Sequence, residues 1–276
     1  MSRIRPTDPD YAAVEAALAA LAVPAPPNLA PTTLLAVGLA DAYAPIDSPI
    51  GPLFVAWNGR GVSAVVAAAD PAEDPAAFEA RFEREVGRPI RRAPSLPPRL
   101  ETAIRRRLAG DRRVRIDLDL RGHTTFERAV WLKALEIPRG EVRPYAWIAA
   151  EIGRPKAVRA VGSALAHNPV PLVVPCHRVV RSDGLIGQYS LGGPGNKRTI
   201  LAAEGLDPDE LETLARTGIR FIGSGTTRVV CLPSCHHARR IQPGHRTPFR
   251  SLAAGLEAGY RACRSCRPGS AAAIAA

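Results

Sequence analysis

Apolar and polar positions along the chain follow two periods. Between about 40 and 70, "AYAPIDSPIGPLFVAWNGRGVSAVVAA" sets short apolar runs between proline–glycine and Asn58-Gly59 turn signals, which predicts antiparallel strands. Residues 75–88 and 97–109 switch to helical spacing, and "RVRIDLDL" (113–120) alternates as a further strand. "TTFERAVWLKALEIPRG" (124–140) predicts an amphipathic helix with Phe126, Val130, Trp131 and Leu135 on one side and a Pro-Arg-Gly stop. "YAWIAAEIGRPKAVRAVGSALAHNP" (145–169) holds two short helical patterns separated by Gly153-Arg154-Pro155, with glycine suited to the end of one helix and proline to the first turn of the next. That is a helix-turn-helix pattern, and its second helix is rich in small residues: Ala157, Ala160, Gly162, Ser163 and Ala164. An ordinary packed helical hairpin uses the same pattern. Ahead of all this, "YAAVEAALAALA" (11–22) reads as a short helix and "VPAPPNLAP" (23–31) as a linker. The mixture predicts an α+β fold in several pieces: 1–31, 32–122, 123–216 and 217–276.

Composition changes the picture in two respects. At 276 residues, 46% hydrophobic and 23% charged, the chain has the make-up of a globular protein long enough for two or three cores. No apolar run reaches the length of a membrane span, and "MSRIRPTDPDY" lacks the apolar centre of a secretory leader. A cytoplasmic location is therefore expected, without a membrane partner, where cysteines serve catalysis or metal binding more often than disulfides. The net charge of +11 is unevenly placed: residues 139–203 carry 9 basic and 3 acidic side chains, and residues 217–276 carry 9 and 1. Clustered positive charge marks a polyanion binder, most simply nucleic acid. Genomic bias accounts for arginine supplying 34 of the 37 basic residues, but not for the scarcity of acids in the last sixty positions.

The five cysteines divide into one and four. Cys176 lies in "VVPCHRVV", where a proline interrupts an apolar run just before the thiol and His177 follows it. A lone buried cysteine is usually an inert small hydrophobe. A histidine within reach, directly or through water, can instead remove the thiol proton and raise its reactivity greatly. The other four are Cys231-x3-Cys235 and Cys263-x2-Cys266, two close pairs that read as a tetrahedral zinc site of four thiolates. A pair of disulfides is the poorer alternative in a cytoplasmic chain, and His236, His237 or His245 remain as mixed ligands. With few large apolar residues, this segment should draw much of its folding energy from metal.

"PCHRVV", the upstream "AVRAVGSALAHNPVPLVV" and the downstream "SDGLIGQYSLGGPGNKRTILAAEG" resemble the O6-alkylguanine-DNA alkyltransferase family, nearly continuously from Phe126 to Gly205. The resemblance implies a small ribonuclease-H-like α/β domain over about 41–120, followed by a winged helix-turn-helix domain that accepts an alkyl group from damaged DNA once per molecule. It further implies that Cys176 is the acceptor and that His177 takes its proton through a bound water. Glu204 would orient the histidine, and Asn168 would support the turn before the active site. Arg159 would be the finger that fills the stack when the damaged base leaves, flanked at the DNA by Ala160 and Ser163. Tyr145 would press on the phosphate and stabilise the leaving guanine, while Val174 and Ser190 would read the base. The implied substrates are O6-methylguanine and O4-methylthymine in double-stranded DNA, taken by a monomer without an organic cofactor. Some relatives bind alkylated DNA without repairing it, having lost the cysteine that is present here.

"FIGSGTTRVVCLPSC…LEAGYRACRSCRPG" in turn resembles the Ada-type metal-binding domain, which transfers a methyl group from a DNA phosphotriester to a zinc-bound cysteine. By position Cys231 matches the acceptor, and Cys235, Cys263 and Cys266 complete the shell around one Zn2+. Leu232 and "CHHARR" depart from the pattern. A structural zinc knuckle that holds DNA through its arginines is the alternative for this segment. A zinc-containing DNA-binding or sensor protein without transfer chemistry is the alternative for the whole.

Overall fold

The structure, a computed structural model, describes residues 13–14, 16–17, 29–67 and 75–272. The helix expected over 11–22 falls largely outside them. Helix α1 (Leu29–Val37) begins within the expected linker and runs into the first strands.

Strands β1 (Asp41–Ser48), β2 (Gly51–Asn58) and β3 (Gly61–Ala67) form an antiparallel meander, and β4 (Ile90–Arg92) adds to the free side of β1 in parallel, giving the order β3-β2-β1-β4. Period-two alternation sends the two faces to different partners. Tyr43, Ala56 and Ala64 pack with Phe78 and Phe82 of α2 (Pro75–Val86) on one side. Ala42, Ala44, Ile46, Leu53 and Val55 join a core on the other that continues through Trp131, Trp147 and Val161 to Cys176 and Ile200. The sheet and the thiol-bearing region thus share one hydrophobic interior.

The segment 113–120, expected as a strand, makes a single bridge, Leu118 to Val62. Val62 N donates to Asp117 O at 2.8 Å and Asp119 N to Val62 O at 2.8 Å, and the ladder goes no further. This approach depends on Gly61, whose φ is +137° and whose missing Cβ would stand 2.3 Å from Asp117 O. Helix α3 (Pro98–Leu108) precedes this segment.

Helix α4 (Thr125–Ala134) starts with a complete capping box between Thr124 and Glu127. It ends earlier than the pattern over 124–140 suggests, because Pro138 disfavours helical geometry at the residue before it and clashes with a carbonyl one turn back. Helices α5 (Tyr145–Glu151) and α6 (Val158–Ala166) follow as the expected pair, after a short strand β5 (Arg143–Pro144). Trp131 Nε1 donates to Ala164 O at 2.7 Å, fixing α4 against α6. Strand β5 pairs in parallel with β6 (Val179–Val180), and helices α7 (Gly193–Ala203) and α8 (Pro208–Arg216) close this part.

The last part is a small sheet of order β10-β8-β7-β9, built from β7 (Phe221–Ser224), β8 (Val229–Cys231), β9 (Arg246–Phe249) and β10 (Arg261–Ala262). Short helices α9 (His236–Arg239), α10 (Leu252–Glu257) and α11 (Pro268–Ala272) surround it. Its core is Phe221, Ile222, Val230, Leu232, Leu252 and Tyr260 around four buried cysteines. Among the described residues, no helix is long and apolar enough to cross a membrane.

Candidate functional site

The run before Cys176 is a turn instead of a strand. Asn168 takes the place of a ladder: its Oδ1 accepts from Val170 N at 3.1 Å, and its Nδ2 donates to Val174 O and to Cys176 Sγ, each at 3.1 Å. Leu172 adopts φ 68° within this turn, a left-handed conformation uncommon for a bulky residue. Pro175 caps a single 3-10 turn, Cys176–Arg178, that leads into β6.

His177 is 1% exposed, and its Nε2 pairs with Glu204 Oε1 at 3.0 Å. Its Nδ1 is buried without a protein partner, which leaves that atom free for a water or a proton. Arg178 clamps the same carboxylate through Nε and Nη2 at 2.7–3.1 Å and donates Nη1 to Ile137 O at 2.8 Å. Gly140 N adds a bond to Glu204 Oε2 at 3.2 Å; with φ +72°, and with a Cβ there placed 2.9 Å from Glu204 O, the position suits glycine. Burial resists ionisation of Glu204, but hydrogen bonds from His177 and Arg178 outweigh it and hold the carboxyl down to about 2. Burial also keeps His177 below its ordinary value, so the imidazole rests neutral and able to accept a proton. The Cys176 thiol is pushed up by burial, opposed by Asn168, by Lys197 and by the backbone amides of Cys176 and His177.

Lys197, Tyr189 and Arg178 complete the site without having been singled out by sequence. Lys197 is fully buried, donates to Val179 O at 2.6 Å and Gln188 O at 3.3 Å, and is lowered by burial to about 8. Tyr189 stands edge-on to His177 at 6.3 Å, its hydroxyl pushed up by burial and then by Cys176. A charge within "VVPCHRVV" signals Arg178; nothing in "GPGNKRTIL" distinguishes Lys197 from a surface lysine.

The other expected residues are distributed around this cluster. Tyr145 opens α5 half-buried, its hydroxyl raised by burial and then by Cys176. Val174 is fully buried next to the turn, and Ser190 is exposed beyond Tyr189. Arg159, Ala160 and Ser163 share the exposed face of α6, opposite buried Val161, Ala164 and Leu165. That face presents an arginine over a nearly flat strip of small residues.

The four remaining cysteines gather with all four sulfurs within 4.8 Å of one another, every one buried. Four soft donors at mutual contact fit a tetrahedral zinc ion. Leu232 N points at Cys266 Sγ at 3.4 Å. Hydrogen bonds from Cys231 and Cys266, then the backbone amides of His237 and Ala238, hold the Cys235 thiol well below its ordinary range. His236 pairs its Nδ1 with Glu141 Oε1 at 2.7 Å, and these two lie with Cys235 in a second group whose ligand atoms are within 4.8 Å of one another. A cavity of about 570 Å3 opens over the cluster, lined by Cys231 and Cys263 with His237, Arg240, Arg261 and Arg264. Cys235 and Cys266 lie behind it, 0% exposed.

A buried thiol–imidazole–carboxylate relay next to a helix-turn-helix, joined to a four-thiolate metal module, defines a protein with two separate cysteine centres. Residues 125–206 match the family model of the 6-O-methylguanine DNA methyltransferase DNA binding domain, and residues 214–269 that of the metal binding domain of Ada; each segment belongs to its family. A methylated-DNA–protein-cysteine methyltransferase of Rattus norvegicus is 48% identical over 101 residues, which are 36% of this chain and 47% of the relative. One from Mycolicibacterium paratuberculosis is 52% identical over 89 residues, 32% and 53% of the two chains. The chain thus spans about half the length of the curated relatives it matches. A solved structure, Mycobacterium tuberculosis OGT in complex with DNA, aligns at 34% identity with TM-score 0.47, covering 59% of this chain and 93% of that one.

Proposed function

We propose that the chain repairs DNA by direct reversal, moving the methyl group of O6-methylguanine, and of O4-methylthymine, onto Cys176 in a single turnover. The observation that carries this reading is the relay itself: Asn168 Nδ2 at 3.1 Å from Cys176 Sγ, and a neutral His177 held by Glu204 with its Nδ1 free. The Sγ–H proton passes through a water to His177 Nδ1, and the imidazolium is balanced by the Glu204 carboxylate. The thiolate then attacks the methyl carbon in line; the S–C bond forms as the C–O6 bond breaks. Guanine leaves with the electron pair, and the Tyr145 hydroxyl donates to it. A base in a duplex must be flipped out to meet Sγ, at a cost of a few kcal/mol. Arg159, projecting from the small-residue face of α6, fills the space left behind, with Ala160 and Ser163 at the groove. Val174 and Ser190 contact the flipped base.

At the second centre, Cys231, Cys235, Cys263 and Cys266 would hold a zinc ion, which would supply permanently deprotonated sulfur without a general base. Cys231, which lines the arginine-rimmed cavity, accepts the methyl group of a DNA phosphotriester: its S–C bond forms as the C–O bond to phosphorus breaks, and the phosphodiester leaves with the electron pair. We take the protein to act as a cytoplasmic monomer on double-stranded DNA.

Peptide mass spectrometry after incubation with O6-methylguanine duplex tests the first centre, with Cys176→Ala as control. One methyl on the Cys176 peptide, absent in the control, is expected. Tight binding without an adduct would shift the assignment to a DNA-binding or sensor protein.

A further inference from the structure

The metal module does not hang from the rest of the chain as a separate bead. Helix α11 packs along α5, and the buried hydrogen bonds between the two parts come from the cysteine ligands and residues next to them. Ser234, which precedes Cys235 and is 2% exposed, accepts from Val142 N at 2.9 Å and donates to Val142 O at 3.1 Å. His236, which follows Cys235, donates its backbone N–H at 3.1 Å and pairs its Nδ1 at 2.7 Å with Oε1 of Glu141, itself 1% exposed. The other oxygen of Glu141 takes Arg143 Nη2 at 2.6 Å. On the far side, the carbonyl of Cys266 accepts from Trp147 Nε1 at 3.1 Å. Arg267 covers the Trp147 ring at 5.1 Å and pairs with Glu136 and Glu151 at 3.0 and 2.9 Å.

The gripped elements back the Cys176 site. Val142 leads directly into β5, which pairs with β6 immediately after Cys176–Arg178. Trp147 lies on α5, whose first residue is Tyr145. Arg239 of the metal module also donates Nη1 to Gly205 O at 3.1 Å, next to Glu204.

Segments with this small a core generally fold together with their metal, and these contacts would then depend on the four sulfurs being held in place. We propose that the four-cysteine module is a brace for the Cys176 centre: metal loading fixes β5 and α5 and thereby sets the transfer rate at Cys176. Glu141, Trp147 and Ser234 are its positioning residues. The rate consequence rests on the function proposed above; the structural coupling does not.

The test uses the full chain in three forms: zinc-loaded, zinc-stripped, and zinc-loaded Ser234→Ala with its metal content measured. Hydrogen exchange is followed in peptides covering 140–151 and 176–181. Exchange there should rise about tenfold on stripping and a few-fold in Ser234→Ala, as expected when one or two net hydrogen bonds of local stability are lost. The first-order transfer rate of Ser234→Ala at saturating protein should fall by a similar factor, with its affinity for undamaged duplex within about twofold, because α6 is not gripped. Trp147→Phe, which keeps the ring and loses only the donor, should behave alike. Unchanged exchange at 140–151 after stripping overturns the brace. Should exchange respond while no form transfers methyl, the brace stands and the transfer assignment falls.

Discussion

Replacing Glu204 by Gln removes the charge on which His177 and Arg178 both converge while keeping the shape of the side chain. The carboxyl is held from an ordinary 4.5 down to about 2. At about 1.4 kcal/mol per tenfold, that drop corresponds to roughly 3 kcal/mol of stability near neutral pH. Because the folded value lies below the unfolded one, the contribution is complete well above about 4.5 and disappears as pH falls through about 2. Glu204→Gln should therefore melt roughly 6–12 °C lower at pH 7, and the gap should close toward pH 2. The effect on rate is separate. His177 exchanges a charge-assisted partner for a neutral one, a loss of about 1.5–3 kcal/mol in support of the imidazolium, which slows transfer by about tenfold to a hundredfold. Single-turnover transfer from O6-methylguanine duplex, quenched at intervals and read as the methylated Cys176 peptide, measures the rate; calorimetry across pH measures the stability. A folded Gln variant with the wild-type rate would refute the relay, and a stability gap that persists unchanged at pH 2 would refute the electrostatic account of the carboxylate.

Lys197→Met removes the buried positive charge that favours the Cys176 thiolate, and should slow single-turnover transfer on the order of tenfold at neutral pH, with the deficit narrowing as pH rises and the thiol ionises unaided. An equal deficit at every pH would make its role purely one of packing. Gly61→Ala forces a Cβ toward Asp117 O from a left-handed φ, and should cost about 2 kcal/mol or more in denaturant unfolding. Arg159→Ala should slow transfer from duplex about tenfold more than from single-stranded substrate, since only a stacked base leaves a gap to fill; equal slowing on both would remove the finger assignment. Transfer to Cys176 should decline with pH below 6.5, as His177 takes up a proton at a value lowered by burial, whereas methylphosphotriester transfer to Cys231 should stay flat over that range. Parallel profiles for the two centres would contradict the division of chemistry.

The elements legible in the sequence are those whose signal is local. The meander over 41–67 follows from alternation and turn residues, α4 from its apolar side and Pro-Arg-Gly stop, and the α5–α6 pair from Gly153 and Pro155. The four-cysteine cluster was legible because close spacing in a short segment leaves the sulfurs little room to part. What escaped depends on partners distant in sequence. The alternation at 113–120 cannot reveal that the segment makes one bridge, to Val62, and the apolar run at 170–174 cannot reveal that Asn168 supplies its hydrogen bonds from the side. Lys197 reads as a surface cation until the carbonyls of Val179 and Gln188 are seen to receive it.

The two centres meet the same chemical demand by opposite routes. A thiol is a poor nucleophile until it loses its proton. At Cys176 burial pushes that loss away, so on the proposed reading reactivity comes from His177 and Lys197, buried with it, and from Glu204 at their edge. On the function proposed for Cys231, a bound metal ion would keep the thiolate charged, and the arginines lining the cavity would balance it against an approaching phosphate. The first route needs a large hydrophobic interior to desolvate the relay, which the shared core with the N-terminal sheet provides. The second needs almost none, which is why a sheet of two- to four-residue strands suffices to hold four sulfurs in place.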